Sequence, residues 1–243
     1  MSIMEKISAR KAHRIFTPSE YAKKKLCAIY RIPEKKVEVM KNGLFFNEWV
    51  GRIDAAPRPP RRPLTALSVA MLYKRKGVDL LLKAWKEVLC QCPDAILRIV
   101  GDGLEKNRLK KISNKLRLGK SVVWEGAVLD QNILARHFAN CDVFCLPSLH
   151  ETFGLVFIEA MAAQKPVVAF NATAVPEVVR NGRDGFLLEP GDYHGVAEKI
   201  VFLFNNPDLR MKMGMEGRQR VKRDFDITEV VSPLTDWMEC DAE

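Results

Sequence analysis

Nowhere in the 243 residues does an unbroken apolar run approach the roughly 20 residues needed to cross a bilayer. The opening stretch, Met1 to Arg14, is too charged for a signal peptide. Both absences point to a cytoplasmic chain. Paired cysteine spacing is missing too: Cys27, Cys90, Cys92, Cys141, Cys145 and Cys240 contain no C-x-x-C, and Cys141 and Cys145 flank an apolar strand-like run. They read as reduced core thiols. His13, His137, His150 and His194 are scattered without ligand spacing, so no metal site is expected.

What the chain does have is 47% hydrophobic residues, enough for one good core with an appendage, and a formal charge of +9. The charge is uneven. The first 36 residues hold ten Lys or Arg against Glu5, Glu20 and Glu34. Such a face suits an anionic membrane surface, which would make the chain peripheral there, or an acidic partner; a solvated surface is the alternative. It has no interleaved stacking aromatics and no nucleic-acid module, so nucleic acid is not an expected partner.

Along the chain, residues 3–12 suit a short helix and 13–16 a strand ending at Thr17. Thr17-Pro18-Ser19-Glu20 then reads as a helix start, with Thr17 as N-cap, Pro18 at the first helical position and Glu20 completing a capping box. That helix should run to about Tyr30, followed by a strand at 37–40 and an Asn42-Gly43 turn. The proline-rich stretch Arg58 to Pro63 should be an exposed linker. Beyond it strands (64–71, 95–100, 121–125, 142–146, 166–170, 185–188) alternate with helices (77–91, 104–117, 131–140, 154–164, 175–181, 193–205). Repeated βα units predict a parallel sheet covered on both faces, with ligands beyond the carboxyl ends of its strands. Helix 207–223 follows, then an apolar stripe of Ile227, Val230, Val231, Leu234, Trp237 and Met238 interrupted by Pro233.

The most informative stretch is PSLHETFGLVFIEAMAAQKP, residues 147–166. It predicts a loop and a buried helix in which Glu159 has only Leu155, Val156, Ala162 and Ala163 as neighbours three and four positions away. A carboxylate left unpaired there costs several kcal/mol as an order of magnitude, so it needs a strong partner. The partner is either a ligand or a backbone group or lysine of the protein. Glu151 precedes the helix, and the amides of Thr152, Phe153, Gly154 and Leu155 lie where the helix dipole is positive, a natural seat for phosphate. Tyr73-Lys74-Arg75-Lys76-Gly77 places three cations in another loop, suited to a diphosphate or to solvent. Gly101-Asp102-Gly103 is a weak dinucleotide-type signal, explained equally by a plain turn.

The segment E-T-F-G-L-V-F-I-E-A-M-A resembles the E-x7-E segment of the retaining glycosyltransferases of family four, which have the GT-B fold. Other segments extend the resemblance over nearly the whole chain. It implies a doubly wound parallel Rossmann-like α/β sheet, the C-terminal domain of a GT-B enzyme, with an N-terminal inter-domain remnant. Residues 1–62 would be that remnant and linker, 63–225 the nucleotide-sugar-binding domain, and 226–243 a terminal crossover helix. A first domain on the order of 150 residues would then be lost or supplied by a separate chain. By the same resemblance Lys76 would grip the donor diphosphate opposite the 152–155 amides, with Arg75 of the same loop able to assist, Glu151 would touch the donor sugar, and Glu159 the ribose diol. The loop containing Val128, Leu129 and Asp130 would cradle the base. Lys76 and Glu151 would be the catalytic residues, with no metal or covalent cofactor required.

Two departures stand out. Met71 occupies the position, five before Lys76, where the family usually carries an arginine, and Ala70 that of a usual glycine. Thr173 and Ala174 replace both glycines of a G-G-x-P-E loop; a non-glycine residue at positive φ there costs about 1 kcal/mol or reshapes the turn. The departures keep open an inactive GT-B-derived binding module as an alternative. A nicotinamide-dependent oxidoreductase is a third reading, resting only on architecture and the glycine signal.

Overall fold

The computed structural model describes residues 3–60 and 62–232. Its strands are β1 (Ile15–Thr17), β2 (Val37–Val39), β3 (Thr65–Val69), β4 (Ile96–Val100), β5 (Val122–Gly126), β6 (Val143–Leu146), β7 (Val167–Phe170) and β8 (Gly185–Leu188). Its helices are α1 (Ile3–Lys11), α2 (Glu20–Tyr30), α3 (Phe46–Asp54), α4 (Val78–Gln91), α5 (Lys106–Lys115), α6 (Gln131–Ala139), α7 (Leu155–Ala162), α8 (Val175–Val178), α9 (Tyr193–Asn205) and α10 (Pro207–Asp224).

Six strands form one parallel sheet in the order β5-β4-β3-β6-β7-β8. Parallel strands buried on both sides need apolar residues at consecutive positions, and VFCL in β6 and VVAF in β7 are buried throughout. Alternation of side chains divides the core in two. Leu67, Phe144 and Ala169 pack with Trp49 of α3, Phe138 of α6 and Phe157 of α7. Ala66, Cys145 and Val168 pack with Leu81 and Trp85 of α4, Leu109 of α5 and Ile200 of α9. The sheet is therefore doubly wound, and the order in which strands are added reverses between β3 and β6. The carboxyl ends of those two strands bound the crevice where such sheets bind ligands.

The N-terminal segment pairs β1 with β2 in parallel, with α2 between them. Its cap differs from the expected one. Thr17 belongs to β1, where its carbonyl accepts from the Met40 amide and its hydroxyl turns to the Ser19 and Glu38 carbonyls. Ser19 is the N-cap instead, accepting from the Ala22 amide at 3.1 Å. Glu20 completes no capping box; the carboxylate of Glu177 accepts from the Glu20 and Tyr21 amides at 2.8 and 2.9 Å.

Helix α3 lies in a stretch with no start signal: the residue at its N-cap is Phe45, which makes no side-chain cap bond. Burial of Phe46, Trp49 and Ile53 holds it. The linker at 57–60 is exposed, and Arg62 closes it with a bidentate pair to Asp142 at 2.6 and 3.0 Å. Cys141 and Cys145 are core thiols as expected, whereas Cys90 is exposed, correcting the reading of all six as core. Among the described residues no helix is long and apolar enough to cross a membrane. Residues 227–232 are helical; Pro233, Leu234, Trp237, Met238 and Cys240, part of the expected terminal helix, lie outside the described residues.

Candidate functional site

At the β3–β6 crossing two loops are tied together before any ligand is considered. The loop after β3 ends in a 3-10 turn over Lys74–Lys76, then Gly77 at φ +66°. Gly77 is required by proximity as well as by angle, since a Cβ there would lie 2.0 Å from the Pro147 carbonyl oxygen. The Arg75 carbonyl accepts from the Leu149 amide at 2.8 Å and from the Ser148 hydroxyl at 3.1 Å. These ties bring Lys76 and Glu151, 75 residues apart, into a pair with Nζ 2.6 Å from Oε1. Both side chains are nearly buried, at 14% and 8% exposure. The cation and the carboxylate thus face each other directly, an arrangement the sequence did not disclose. Arg75 is exposed, with its guanidinium 5.8 Å from the Tyr73 ring centre.

Helix α7 begins at this crossing. Gly154, at φ +96°, turns the chain into it, and a Cβ there would sit 2.5 Å from the Phe157 ring. Phe153 is buried and packs edge-on against Phe225 at 5.8 Å, while Thr152 and Leu155 are exposed. The Thr152 carbonyl accepts from the Ser19 hydroxyl at 2.7 Å. The amides of Thr152, Phe153, Gly154 and Leu155 donate to no group among the described residues. Helix dipole and unclaimed N–H groups therefore favour an anion here.

One turn further along α7, Glu159 presents a carboxylate with no hydrogen-bond or ion-pair partner among the described residues. Burial pushes its pKa up from 4.5 to about 7. Among the described residues neither a backbone group nor a lysine serves as its partner. The helix itself is held from the other side, where Trp49 Nε1 donates to the Glu159 carbonyl at 3.0 Å.

The loop after β7 supplies the third wall. Thr173 has φ +53°, uncommon for a β-branched residue, and its hydroxyl accepts from the Glu151 amide at 2.9 Å. Ala174 keeps an ordinary negative φ and is fully buried. Beneath it, Arg220 donates to the Glu177 and Val178 carbonyls and pairs with buried Asp184, which fixes α8.

Val128, Leu129 and Asp130 follow β5, separated from β3 by β4, so they share the carboxyl edge but not the crossing. Val128 packs against the apolar cluster containing Phe153, and Leu129 is 90% exposed. The Asp130 carboxylate caps α6 by accepting from the Asn132 and Ile133 amides. Gly101 and Gly103 allow close approach to the loop after β3, where their Cβ atoms would meet the Ala70 and Leu72 carbonyls. No cluster of three or more metal-ligating side chains occurs among the described residues.

A six-stranded, all-parallel, doubly wound sheet of this kind is the α/β fold of GT-B glycosyltransferase structures. Sucrose-phosphate synthase from Thermosynechococcus elongatus superposes with a TM-score of 0.83 at 24% identity, covering 98% of this chain and 60% of that one. Anabaena HepE, solved with UDP and glucose, gives 0.82 at 21% identity, covering 96% and 64%. Residues 51–220 match the family described as Glycosyl transferases group 1, and the chain belongs to that family. An uncharacterized glycosyltransferase of Haemophilus influenzae is 34% identical over 168 residues, 69% of this chain and 46% of that protein. The capsular polysaccharide biosynthesis glycosyltransferase CapM of Staphylococcus aureus is 30% identical over 233 residues, 92% of this chain and 60% of that protein. The chain thus spans about half the length of these relatives.

Proposed function

We propose that this chain is the donor-binding half of a retaining glycosyltransferase of the E-x7-E type, holding a nucleotide-diphosphate sugar at the β3–β6 crossing. The observation that carries the reading is the convergence of Lys76, Glu151 and the unclaimed amides at the start of α7 on that one crevice. In this reading Lys76, with Arg75, meets the diphosphate across from the amides. Glu151 meets sugar hydroxyls, and the ionised Glu159 accepts both protons of the ribose diol. The loop at 128–130 backs the base. As the glycosidic bond to phosphate breaks, negative charge grows on the departing nucleotide diphosphate. The fixed N–H dipoles stabilise that charge without reorganising, and Lys76 adds to them by turning from Glu151 toward the phosphate.

Acceptor binding and transfer are proposed to need a further α/β domain, on the same chain or another, over the carboxyl rim. That rim exposes Met71, Leu104, Leu129, Leu149 and Leu155, a concentration of apolar side chains that suits a partner surface. The polypeptide 1–243 alone is expected to transfer little sugar.

A second reading, an inactive binding module, is favoured by Met71, which is 58% exposed on the diphosphate loop and brings no charge. Thermal-shift measurements with UDP, GDP and ADP and their glucose conjugates separate the two. The donor-binding reading expects one base series to raise the melting temperature, whereas no shift with any of them favours the module.

A further inference from the structure

We propose that Thr173 is a positioning residue of the sugar subsite, whose hydroxyl fixes the Glu151 peptide and thereby the direction of the Glu151 carboxylate. The sugar subsite itself is part of the donor-binding reading above, and the proposal rests on it. The Glu151 peptide is clamped on both sides by one short loop. Its N–H donates to Thr173 Oγ1 at 2.9 Å, and its carbonyl accepts from the Ala174 amide at 3.4 Å.

The loop is able to clamp because it is itself immobilised. The Asn171 amide donates to the Leu188 carbonyl at 2.7 Å, Ala174, Val175 and Val178 are fully buried, and Arg220 holds the Glu177 and Val178 carbonyls. Against that rigid base Thr173 keeps a left-handed backbone at φ +53°, a conformation glycine adopts freely and threonine does not. Strain of this kind persists where the surroundings over-determine it, and here the compensating contact is the bond to Glu151. Glycine would relieve the backbone and leave the Glu151 N–H without its acceptor. Valine would keep the shape and remove only the oxygen.

The hydroxyl also has a direction. One lone pair is engaged by the Glu151 N–H, and its own proton has no acceptor among the described residues. That proton is free for an oxygen of a ligand seated beside Glu151. Lys76, on the loop after β3, pairs with one Glu151 oxygen, and Thr173, on the loop after β7, holds the Glu151 backbone, so Glu151 is fixed from the loops on both sides of its own.

The test compares the 243-residue chain with Thr173→Ser, Thr173→Val and Thr173→Gly, read in two ways. The first is hydrogen exchange at the Glu151 amide without ligand. The second is calorimetric affinity for UDP and for UDP-glucose. The serine variant should match the parent. The valine and glycine variants should exchange the Glu151 amide at least about fivefold faster. They should also weaken UDP-glucose about tenfold relative to UDP, leaving UDP itself within about twofold. Thr173→Gly, free of left-handed strain, keeps the test open if Thr173→Val does not fold. Parent-like protection of the Glu151 amide in the valine or glycine variant overturns the proposal, as does equal weakening of UDP and UDP-glucose. If the parent binds neither compound, the uridine form of the donor reading fails, and the exchange result alone decides whether Thr173 fixes Glu151.

Discussion

Replacing Glu159 by glutamine probes the least ordinary group in the crevice. Burial raises its carboxyl pKa from 4.5 to about 7, and no donor among the described residues compensates. The shift means that the folded state binds the proton more tightly than the unfolded chain does. Relative to an uncharged side chain, Glu159 then costs almost nothing below its unfolded pKa near 4.5 and the full amount above about 7. At 1.36 kcal/mol per pH unit, the full amount is about 3 kcal/mol. Urea unfolding at pH 8.5 should therefore show Glu159→Gln more stable than the parent by about 2–3 kcal/mol, with the gain falling below about 1 kcal/mol at pH 5. Binding should move the other way. A ribose diol donating two hydrogen bonds favours the carboxylate, so parent affinity for a nucleoside diphosphate should rise from pH 6 to 8 with proton release. Glu159→Gln should lose about 1.5–3 kcal/mol of that affinity at pH 8. A glutamine variant that is less stable than the parent at pH 8.5 would mean that a protein group holds the carboxylate, and the reasoning would collapse.

Three further outcomes follow from the same geometry. Lys76→Met strands a nearly buried Glu151 and should cost about 3 kcal/mol in urea unfolding, most of it recovered by adding Glu151→Gln; simple additivity of the two would contradict a real pair. Met71→Arg places a guanidinium on the loop after β3 and, on the donor-binding proposal, should tighten nucleoside diphosphate binding about tenfold by calorimetry, since a charge-assisted bond contributes about 1.5–3 kcal/mol before ordering costs. Helix α2 has no buried residue and exposes Lys24, Lys25 and Ile29, while α1 exposes Ile7. The chain should therefore cosediment with phosphatidylglycerol vesicles at low salt and be released by 0.5 M salt, with no cosedimentation on phosphatidylcholine. Equal binding to both lipids would remove the electrostatic reading.

The sheet was legible in the sequence because its strands are buried on both faces and stand out as short apolar runs between turns. Its crossing was legible too, since Gly77, Gly154 and the polar residues around them mark the loops at the carboxyl ends of β3 and β6. Helix α3 was not, because it opens on Phe45 without a capping side chain and is held by burying Phe46, Trp49 and Ile53. The N-cap of α2 was misplaced by two residues because pairing with β2 claims Thr17 as strand, and a carboxylate 157 residues away does the rest of the capping. The same limitation hides the Lys76–Glu151 pair. Local spacing identifies both residues as candidates, but only the fold makes them neighbours. At Thr173 the sequence raised the question of positive φ, and the structure answers it with a strained threonine whose hydroxyl has found a partner.

A crystal structure of the chain with the nucleoside diphosphate that raises its melting temperature most would test the donor-binding proposal most directly. The prediction is a diphosphate on the amides of 152–155 with Lys76 Nζ turned from Glu151 toward it, and a ribose diol on Glu159. An empty crevice at saturating nucleotide, or a nucleotide bound elsewhere with the Lys76–Glu151 pair unbroken, would contradict it.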